Sequence, residues 1–332
     1  NMIKSIDLKD KQILYQLELD ARQSYSQIAK KTKTSKEVVK YRIDRLKEKG
    51  IINKFVLMIN GPKLGYSAYK LYLKLRNISE KELNIMINDF KKNENIAWIV
   101  TCYGKYDLII GTIAKDNYES FEINNQIQKD YQKFIHEVTP LNHIDIRHQK
   151  RTYIVDKKRT DKYSPFWGGK TQNYKLDEYE KAILSKLCEN ARKPIIKIAS
   201  ELKSPVDNIH RRLKKLIKDK IIEGSKVSLN KGLLEIQSYK ILLQIRFQSL
   251  QKEKEFFNRS YQQNNIVNVV RMMGSWNYEL DIDVTNITQL NEIMTELKNN
   301  FAEEIISYDT LQIFKQYKYN FFPIKDQNPK YC

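Results

Sequence analysis

The sequence predicts an α+β protein that consists of two copies of one unit. Shifting the 332-residue chain by 170 positions, without a gap, aligns it with itself over almost its whole length. A unit this long indicates a duplicated protein rather than a solenoid, whose repeats usually span about 20–50 residues. Within each copy, apolar residues first recur at helical spacing and then alternate as in strands. The matching pairs include Asp7 with Asp177, Ala21-Arg22 with Ala191-Arg192, Ile28-Ala29 with Ile198-Ala199, and Ile51-Ile52 with Ile221-Ile222.

Three short helices are predicted at the start of each copy. Apolar residues from Leu8 to Leu17 recur at helical spacing, and a second helix follows at Ile28-Ala29. Thr34-Ser35, and Ser204-Pro205 in the second copy, predict a hydroxyl N-cap before a third, basic helix. This order is typical of a winged-type helix-turn-helix domain, whose last helix enters the major groove of DNA.

The second part of each copy alternates strand and helix patterns. In the first copy these are a strand at 68–76, a helix at 79–92, strands at 96–103 and 106–114, a helix at about 117–134 and a strand at about 137–148. This βαββαβ order predicts a ferredoxin-like domain, and the second copy repeats it from Tyr239 to about Phe314. We therefore expect helix-turn-helix domains at 2–60 and 176–230, ferredoxin-like domains at 61–149 and 231–325, and a basic linker at 150–175.

Positive charge is concentrated in three segments of the chain. Residues 22–54 carry 11 Lys and Arg against 3 Asp and Glu, and residues 192–226 carry 11 against 4. The linker region 147–175 carries 9 against 2, so these segments account for the whole formal charge of +19. Such clustering is expected of a protein that binds a polyanion, and double-stranded DNA is the predicted partner.

The side chains expected to contact DNA lie on and around the third helix of each copy. Base reading is predicted for outward residues near its N-terminal end: Lys36, Lys40, Tyr41, His210 and Arg211. Most phosphate contacts are predicted for Arg22, Lys36, Lys40, Arg45, Arg192, Arg211, Lys214 and Lys215. Arg42 and Arg212 lie beside the inner face, so they are expected to anchor the helix to its own domain. The predicted DNA-binding residues are Arg22, Thr34, Ser35, Lys36, Lys40, Tyr41 and Arg45 in the first copy, and Arg192, Ser204, His210, Arg211, Lys214 and Lys215 in the second.

Several classes of protein are disfavoured by composition and motifs. Cys102, Cys188 and Cys332 are odd in number and far apart, which offers neither a disulfide framework nor a CxxC metal site. The sequence contains no P-loop, GxSxG or HExxH pattern, no signal-peptide pattern, and no apolar run of about 18–20 residues. We expect a cytoplasmic protein that is not membrane-bound and has no catalytic residues, metal or cofactor.

The order of these parts resembles the Lrp/AsnC family of transcription regulators, the feast/famine proteins. Members have one unit per chain and pair through the βαββαβ domain, called the RAM domain, which in many of them binds an amino acid at the subunit interface. The resemblance implies a sequence-specific transcription regulator with two DNA-binding heads, similar to tandem relatives from archaea. It covers nearly the whole chain except the linker, and its residues include the stretch 39–52 (VKYRIDRLKEKGII), Leu64-Gly65-Tyr66, Gly104-Lys105-Tyr106-Asp107 and Gly274-Ser275-Trp276.

An amino-acid effector is implied beside the turn formed by Gly104, Tyr106 and Asp107. Glycine lets backbone N–H groups approach a carboxylate, and Asp107 is placed to meet an ammonium group. The alternative is that Asp107 caps the turn and Tyr106 packs in the sheet. The second copy reads Gly274-Ser275-Trp276-Asn277, with one extra residue expected before the alternation resumes at Leu280, so effector binding is predicted for the first copy.

Pairing of the two RAM domains is expected, either within one chain or across a homodimer. The linker of roughly 25 residues spans some 80 Å when fully extended, so both routes are open. Tethering favours the intramolecular pair if the two surfaces match. Phe166-Trp167 in the linker is expected to dock on a neighbouring domain.

Two other functions compete with the regulator. Siroheme decarboxylases resemble the same architecture and would use His and Arg near the RAM pocket, but neither turn, at 104 or 274, contains a histidine. His143 and His148 are five apart on a predicted strand, which predicts opposite faces. The other alternative is a protein-interaction scaffold whose heads no longer bind DNA, and the charge retained on both third helices argues against it.

Overall fold

The computed structural model describes residues 6–160 and 164–322. Cys332 and the predicted domain ends at 2 and 325 lie outside these residues. The first copy contains α1 (Leu8–Leu19), α2 (Tyr25–Thr32), α3 (Lys36–Glu48), β1 (Ile52–Ile59), β2 (Ser67–Leu75), α4 (Glu80–Lys92), β3 (Ile96–Tyr103), β4 (Leu108–Ala114), α5 (Asn117–Tyr131) and β5 (Ile135–His148). A short strand, β6 (Phe166–Gly168), lies between the copies. The second copy contains α6 (Glu178–Glu189), α7 (Ile195–Glu201), α8 (Val206–Lys218), β7 (Ile222–Leu229), β8 (Gln237–Ile245), α9 (Leu250–Gln262), β9 (Ile266–Met273), β10 (Tyr278–Val284), α10 (Ile287–Asn300) and β11 (Ile305–Tyr319).

Each copy begins with a three-helix head: α1–α3 form the first head and α6–α8 the second. Ser35 caps α3 as predicted, accepting a 3.2 Å hydrogen bond from the backbone N–H of Val38. The predicted hydroxyl cap of α8 is wrong, because Pro205 stands at the position that Ser35 holds in the first head. Ser204 instead accepts a 2.9 Å hydrogen bond from the side-chain amide of Asn208.

The strands that follow the two heads pair with each other. β1 and β7 form an antiparallel two-stranded sheet, here called the ribbon, in which Phe55 lies opposite Val227. The ribbon therefore joins the two copies directly after their heads. Apolar residues of the ribbon and of both heads share one hydrophobic core.

The βαββαβ order is confirmed in both copies, and the two domains close into one antiparallel barrel of eight strands. The order around it is β2-β4-β3-β11-β8-β10-β9-β5, and β5 pairs with β2 to complete the ring. β5 and β11, the last strands of each copy, also pair with β9 and β3 of the other copy. The two RAM-like domains therefore pair within one chain.

Helices cover the outside of the barrel. α4 and α5 pack on the first half through Ile87, Phe90 and Ile127, and α9 and α10 cover the second half through an equivalent apolar cluster. A separate apolar cluster that includes Tyr72 and Leu311 fills part of the interior. Strand residues alternate between the helix-covered face and the interior, as the sequence pattern predicts.

The connection between the copies is tied to the barrel at several points. Phe166-Trp167 docks as predicted, because β6 extends the sheet beside β5 and the ring of Trp167 stacks on His143 at a centroid distance of 4.8 Å. Arg159 donates hydrogen bonds of 2.6–2.8 Å to the backbone carbonyls of residues 261, 263, 264 and 266. The basic linker therefore has defined contacts along the part that the structure describes.

Candidate DNA interface

The last helix of the first head has one buried face and one solvent-exposed face. Val39, Ile43 and Leu46 are buried in the head, because they recur at the spacing of a helix turn. Lys36 and Lys40 are exposed on the opposite face, and 66% of Tyr41 is exposed. The three residues predicted to read bases from this head therefore lie together on an open surface; Thr34 is half-buried and Ser35 is the cap.

Two acidic residues, Asp10 of α1 and its N-cap Asp7, hold α3 in place. The guanidinium of Arg42 lies 2.6 Å from Asp7 and 2.9 Å from Asp10, and that of Arg45 lies 2.6 Å from the second oxygen of Asp10. Arg212 makes the equivalent contact with Asp177 at 3.0 Å. The prediction that Arg42 and Arg212 anchor their helices is confirmed, and Arg45, predicted to contact phosphate, shares this structural role.

The outward face of α8 carries different side chains. His210 and Arg211 are exposed at the positions of Lys40 and Tyr41, and Lys214 is exposed at the position of the half-buried Asp44. Lys215 is exposed too, but its ammonium group lies 3.1 Å from Glu180 and near the ring of Tyr174. The exposed faces of α3 and α8 therefore carry side chains of different chemistry.

Arg22 and Arg192 require a correction of the predicted phosphate contacts. Arg22 donates a 2.5 Å hydrogen bond to the backbone carbonyl of Ala191, and Arg192 donates to the carbonyls of Ala21 and, at 2.9 Å, Gln23. Both side chains are half-buried between the heads, and burial lowers the pKa of each. They bind the opposite head instead of facing solvent, because each head ends its first helix at carbonyls that the other head's arginine can reach.

The turn predicted to bind an effector is packed against the other copy. A side chain at Gly104 (φ +130°) would lie 2.8 Å from the carbonyl oxygen of Thr310 on β11, so the close approach of this strand requires glycine. Asp107 accepts hydrogen bonds from the backbone N–H of Leu75 at 2.8 Å and from Lys74 at 3.0 Å. Tyr106 is buried, and its hydroxyl donates to Thr139 at 3.0 Å.

The second copy repeats this turn without the extra residue expected from the sequence. Asn277 accepts a 2.9 Å hydrogen bond from the backbone N–H of Ile245, which is the contact that Asp107 makes with Leu75. Trp276 is buried at the place of Tyr106, and β10 begins at Tyr278 where the shift of 170 puts it. The apparent insertion arose because Trp276 and Asn277 differ in type from Tyr106 and Asp107.

An ionic cluster that the sequence analysis missed lies inside the barrel. Lys70 contacts both oxygens of Glu279 at 2.8 and 2.9 Å, and Lys240 contacts Glu279 and, at 2.6 Å, Asp281. Although burial opposes ionisation, the charges of Lys240 and Lys70 hold the pKa of Glu279 at about 2. The signal in the sequence was the acidic alternation Glu279, Asp281, Asp283 on one face of an otherwise apolar strand.

A cavity of about 170 Å³ lies between this cluster and the ribbon. Both His143 and His148 line it, so the prediction that they face opposite sides of β5 is wrong. The reason is a β-bulge between His143 and Asp145, where Ile144 is an extra residue that changes the alternation. Parity arguments fail across a bulge, which the sequence does not reveal.

The described residues contain neither a helix that could span a membrane nor a group of side chains that could bind a metal ion. Across residues 6–160 and 164–322, the helices are too short or too polar to cross a bilayer. In the same ranges, no three His, Cys, Asp or Glu side chains come together in a way that suits a metal ion.

Comparison with known proteins identifies both heads and the overall arrangement. A family model described as winged helix-turn-helix DNA-binding matches residues 6–53 and 176–223. The HTH-type transcriptional regulator Ptr1 of Methanocaldococcus jannaschii is 34% identical over 118 residues, which are 35% of this chain and 74% of that protein. The HTH-type transcriptional regulator LrpA of Pyrococcus horikoshii is 48% identical over 62 residues, 19% of this chain and 44% of LrpA. Each match is shorter than one of the two copies.

A likeness to one solved structure extends over both copies. The crystal structure of the siroheme decarboxylase NirDL superposes with a TM-score of 0.61 at 12% sequence identity, and the match covers 95% of this chain and 93% of that one. At this identity the likeness concerns the fold alone. It indicates that two units closed into one barrel are an arrangement that recurs in another protein.

Proposed function

Because the chain belongs to the Lrp/AsnC family of transcription regulators, we propose that it is a sequence-specific DNA-binding regulator whose two heads bind one duplex together. The observation that carries the proposal is the last helix of each head, which has a buried apolar face and an open basic face. A helix of this kind, in this position, is the element that reads the major groove.

The distribution of ion pairs supports the proposal. Lys36, Lys40 and Lys214 have no carboxylate partner among the described residues, whereas Arg42, Arg45 and Lys215 are paired within their heads. Unpaired, exposed cations remain available for phosphates and base edges. When they neutralise phosphates, counterions are released from the DNA, so binding depends on the salt concentration. Replacement of Lys36 and Lys40 should therefore weaken DNA binding by the first head more than replacement of its other basic residues.

The test is reversal of charge on α3. In the Lys36→Glu and Lys40→Glu double variant we expect affinity for a selected duplex to fall more than about a hundredfold, because two charge-assisted contacts become repulsive. The dependence of log affinity on log salt should also become shallower by about one unit per lost phosphate contact. Fluorescence anisotropy at several salt concentrations measures both quantities.

A matched control carries the same change of net charge elsewhere. Lys81→Glu and Lys129→Glu reverse two exposed lysines on helices that cover the barrel, not on a head. This control should keep most of the affinity. Equal losses in the two double variants would contradict specific contact by α3. Binding to generic duplex without any salt dependence would favour the scaffold with silent heads.

We also propose that the first copy responds to an amino acid beside the turn at Gly104. An effector ammonium group there would have to displace Lys74 from Asp107, and both side chains of this ion pair are about one-third exposed. A thermal-shift assay against the twenty amino acids tests this, since a ligand that binds only the folded state raises its melting temperature. If none raises the melting temperature at about millimolar concentration, the protein does not bind an amino acid there, and DNA binding is unaffected by this result.

A siroheme-binding enzyme is the second candidate, because His143 and His148 share one cavity. We infer that the chain is not such an enzyme: siroheme carries several carboxylates, whereas most cations around this cavity are already paired with acidic side chains. Titration of the protein with siroheme, monitored by absorption spectroscopy, distinguishes a siroheme-binding enzyme from a regulator. A shift of the Soret band at one equivalent would establish siroheme binding, and an unchanged spectrum would exclude it.

A further inference from the structure

The cavity beneath the ribbon is separate from the turn at Gly104. The cavity lies between the barrel interior and the ribbon. Trp98, near the start of β3, lines it, whereas Gly104 comes directly after the other end of this strand. A volume of about 170 Å³ is far above the roughly 10–15 Å³ that one water needs. Phe166 and Phe321, which line it, are half-buried and so lie partly at the protein surface.

Most charges around the cavity are matched by a partner. Lys70 and Lys240 contact Glu279, and Lys240 also contacts Asp281. Lys231 lies 2.7 Å from Asp283. Arg151 is paired likewise, with Glu18 at 2.9 Å. Each of these cations therefore has a carboxylate of the protein as its partner and needs no ligand to balance its charge.

Lys226 is different, because it has no carboxylate partner in the described part of the chain. Its described contact is with the ring of Tyr319, whose centroid lies 6.0 Å from the ammonium nitrogen. Burial lowers the pKa of Lys226 to about 8, so it is still mainly charged at neutral pH. An unpaired cation next to a cavity costs stability, which is a reason to expect an anion there.

The two histidines supply free hydrogen-bonding positions. Nε2 of His143 is buried and has no hydrogen-bond partner among the described residues. Nδ1 of His148 lies 2.9 Å from the amide oxygen of Asn268, which can only accept, so Nδ1 donates and Nε2 of His148 is left as an acceptor. A ligand that carries a hydroxyl group could donate to such a nitrogen.

The walls favour a flat aromatic body. Trp98, Trp167 and Tyr319 line the cavity, and aromatic faces pack best against other rings. One unpaired lysine neutralises one negative charge, so a monocarboxylate fits where a dianionic phosphate would bring an uncompensated charge. We propose that this cavity binds a small planar aromatic monocarboxylate with a ring hydroxyl, which pairs with Lys226 through its carboxylate and with His143 or His148 through its hydroxyl.

Calorimetric titration of the full chain with 4-hydroxybenzoate tests the proposal without DNA, so its outcome is independent of what the heads do. We expect binding at or below about 1 mM, and at least about tenfold weaker binding of the neutral isostere 4-hydroxybenzamide. The non-planar 4-hydroxycyclohexanecarboxylate should also bind at least about tenfold more weakly. Equal affinity for the acid and the amide, or no binding of the acid, would overturn the proposal.

Variants at Lys226 provide a second readout. Lys226→Met should abolish the preference for the acid over the amide while leaving the ligand-free melting temperature unchanged or higher, because it removes an unpaired cation from a half-buried site. Lys226→Arg should keep the preference. The same change at an exposed position, Lys115→Met, should alter neither quantity. A lower melting temperature together with undiminished preference for the acid in Lys226→Met would mean that this lysine is structural, and the proposal would fail.

Discussion

His143 and His148 are held neutral inside the protein. Burial lowers the pKa of both well below 6.5, and for His143 the nearby charges of Lys70 and Lys240 act in the same direction. In the unfolded chain both rings accept a proton near pH 6.5. The folded state therefore binds fewer protons than the unfolded state below that pH, and acid destabilises the fold.

Stability should consequently fall as the pH drops below about 6.5, by up to about 1.4 kcal/mol per pH unit for each of the two histidines. Their contribution is complete above that pH and is lost progressively towards the lower pKa of the folded state. Urea unfolding between about pH 7 and pH 5 measures the slope. His143→Phe keeps a ring against Trp167 and should remove about half of it.

The control for this prediction is His136→Phe, which changes an exposed histidine in the same strand. Its slope should equal that of the unmodified chain. If His143→Phe leaves the slope unchanged, the neutral state of His143 contributes nothing to the acid sensitivity.

Single residues also show where reading the sequence succeeded and failed. Lys36 and Lys40 were assigned correctly to an exposed face because apolar spacing fixes the opposite face of a helix. Arg22 was misassigned because a charge says nothing about whether its partner is a phosphate or a carbonyl. Its repetition as Arg192 was a usable signal: the residues that both heads keep serve structure, and those expected to read DNA differ.

At the scale of elements, the two heads are clamped to each other at their first helices. Each arginine of the pair Arg22 and Arg192 enters the opposite head, and Ser225 on the ribbon donates a 2.6 Å hydrogen bond to Asp20. Binding of two linked heads to one duplex is strongest when their separation matches that of the half-sites. The clamp should therefore set the spacing that the protein recognises.

Replacing both arginines by methionine should weaken binding to a full site and leave binding to an isolated half-site unchanged. Stability should fall by about 1–3 kcal/mol per position, since carbonyls lose their donors between the heads. Anisotropy with full-site and half-site duplexes, together with urea unfolding, measures these effects. If Arg22 and Arg192 contacted phosphates instead, half-site affinity and the salt dependence would both decrease. Arg246→Met, at an exposed position, is the matched control.

The elements of the barrel were predictable, but their partners were not. Alternation identified the strands of both copies, and helix caps and spacing identified the helices between them. The crossing of β5 and β11 into the other copy could not be read, because an edge strand offers the same backbone groups to either neighbour. The bulge at Ile144 was hidden for a different reason: one extra residue leaves no mark in composition.

At the scale of the whole molecule, duplication has turned a two-fold pair into a single chain with two different faces. The barrel closes within the chain, so the second head is always the partner of the first. The buried framework is kept in both copies, while the outward residues of α3 and α8 differ at every reading position. A homodimer with identical heads reads a palindrome. The two heads of this chain differ, so its site need not be palindromic.

Selection of binding sites from a random duplex library should therefore yield an asymmetric site made of two unlike half-sites. Light scattering under the same conditions should give the 39.5 kDa monomer, so that both heads come from one chain. A variant whose first head carries the outward residues of the second, Lys36→Val, Glu37→Asp, Lys40→His and Tyr41→Arg, should instead select a symmetric site. Because the buried face of α3 is unchanged, the variant should fold like the unmodified protein. A palindrome selected by the unmodified chain would show that one head is silent or that like heads of two chains pair, and either result would contradict two-headed reading.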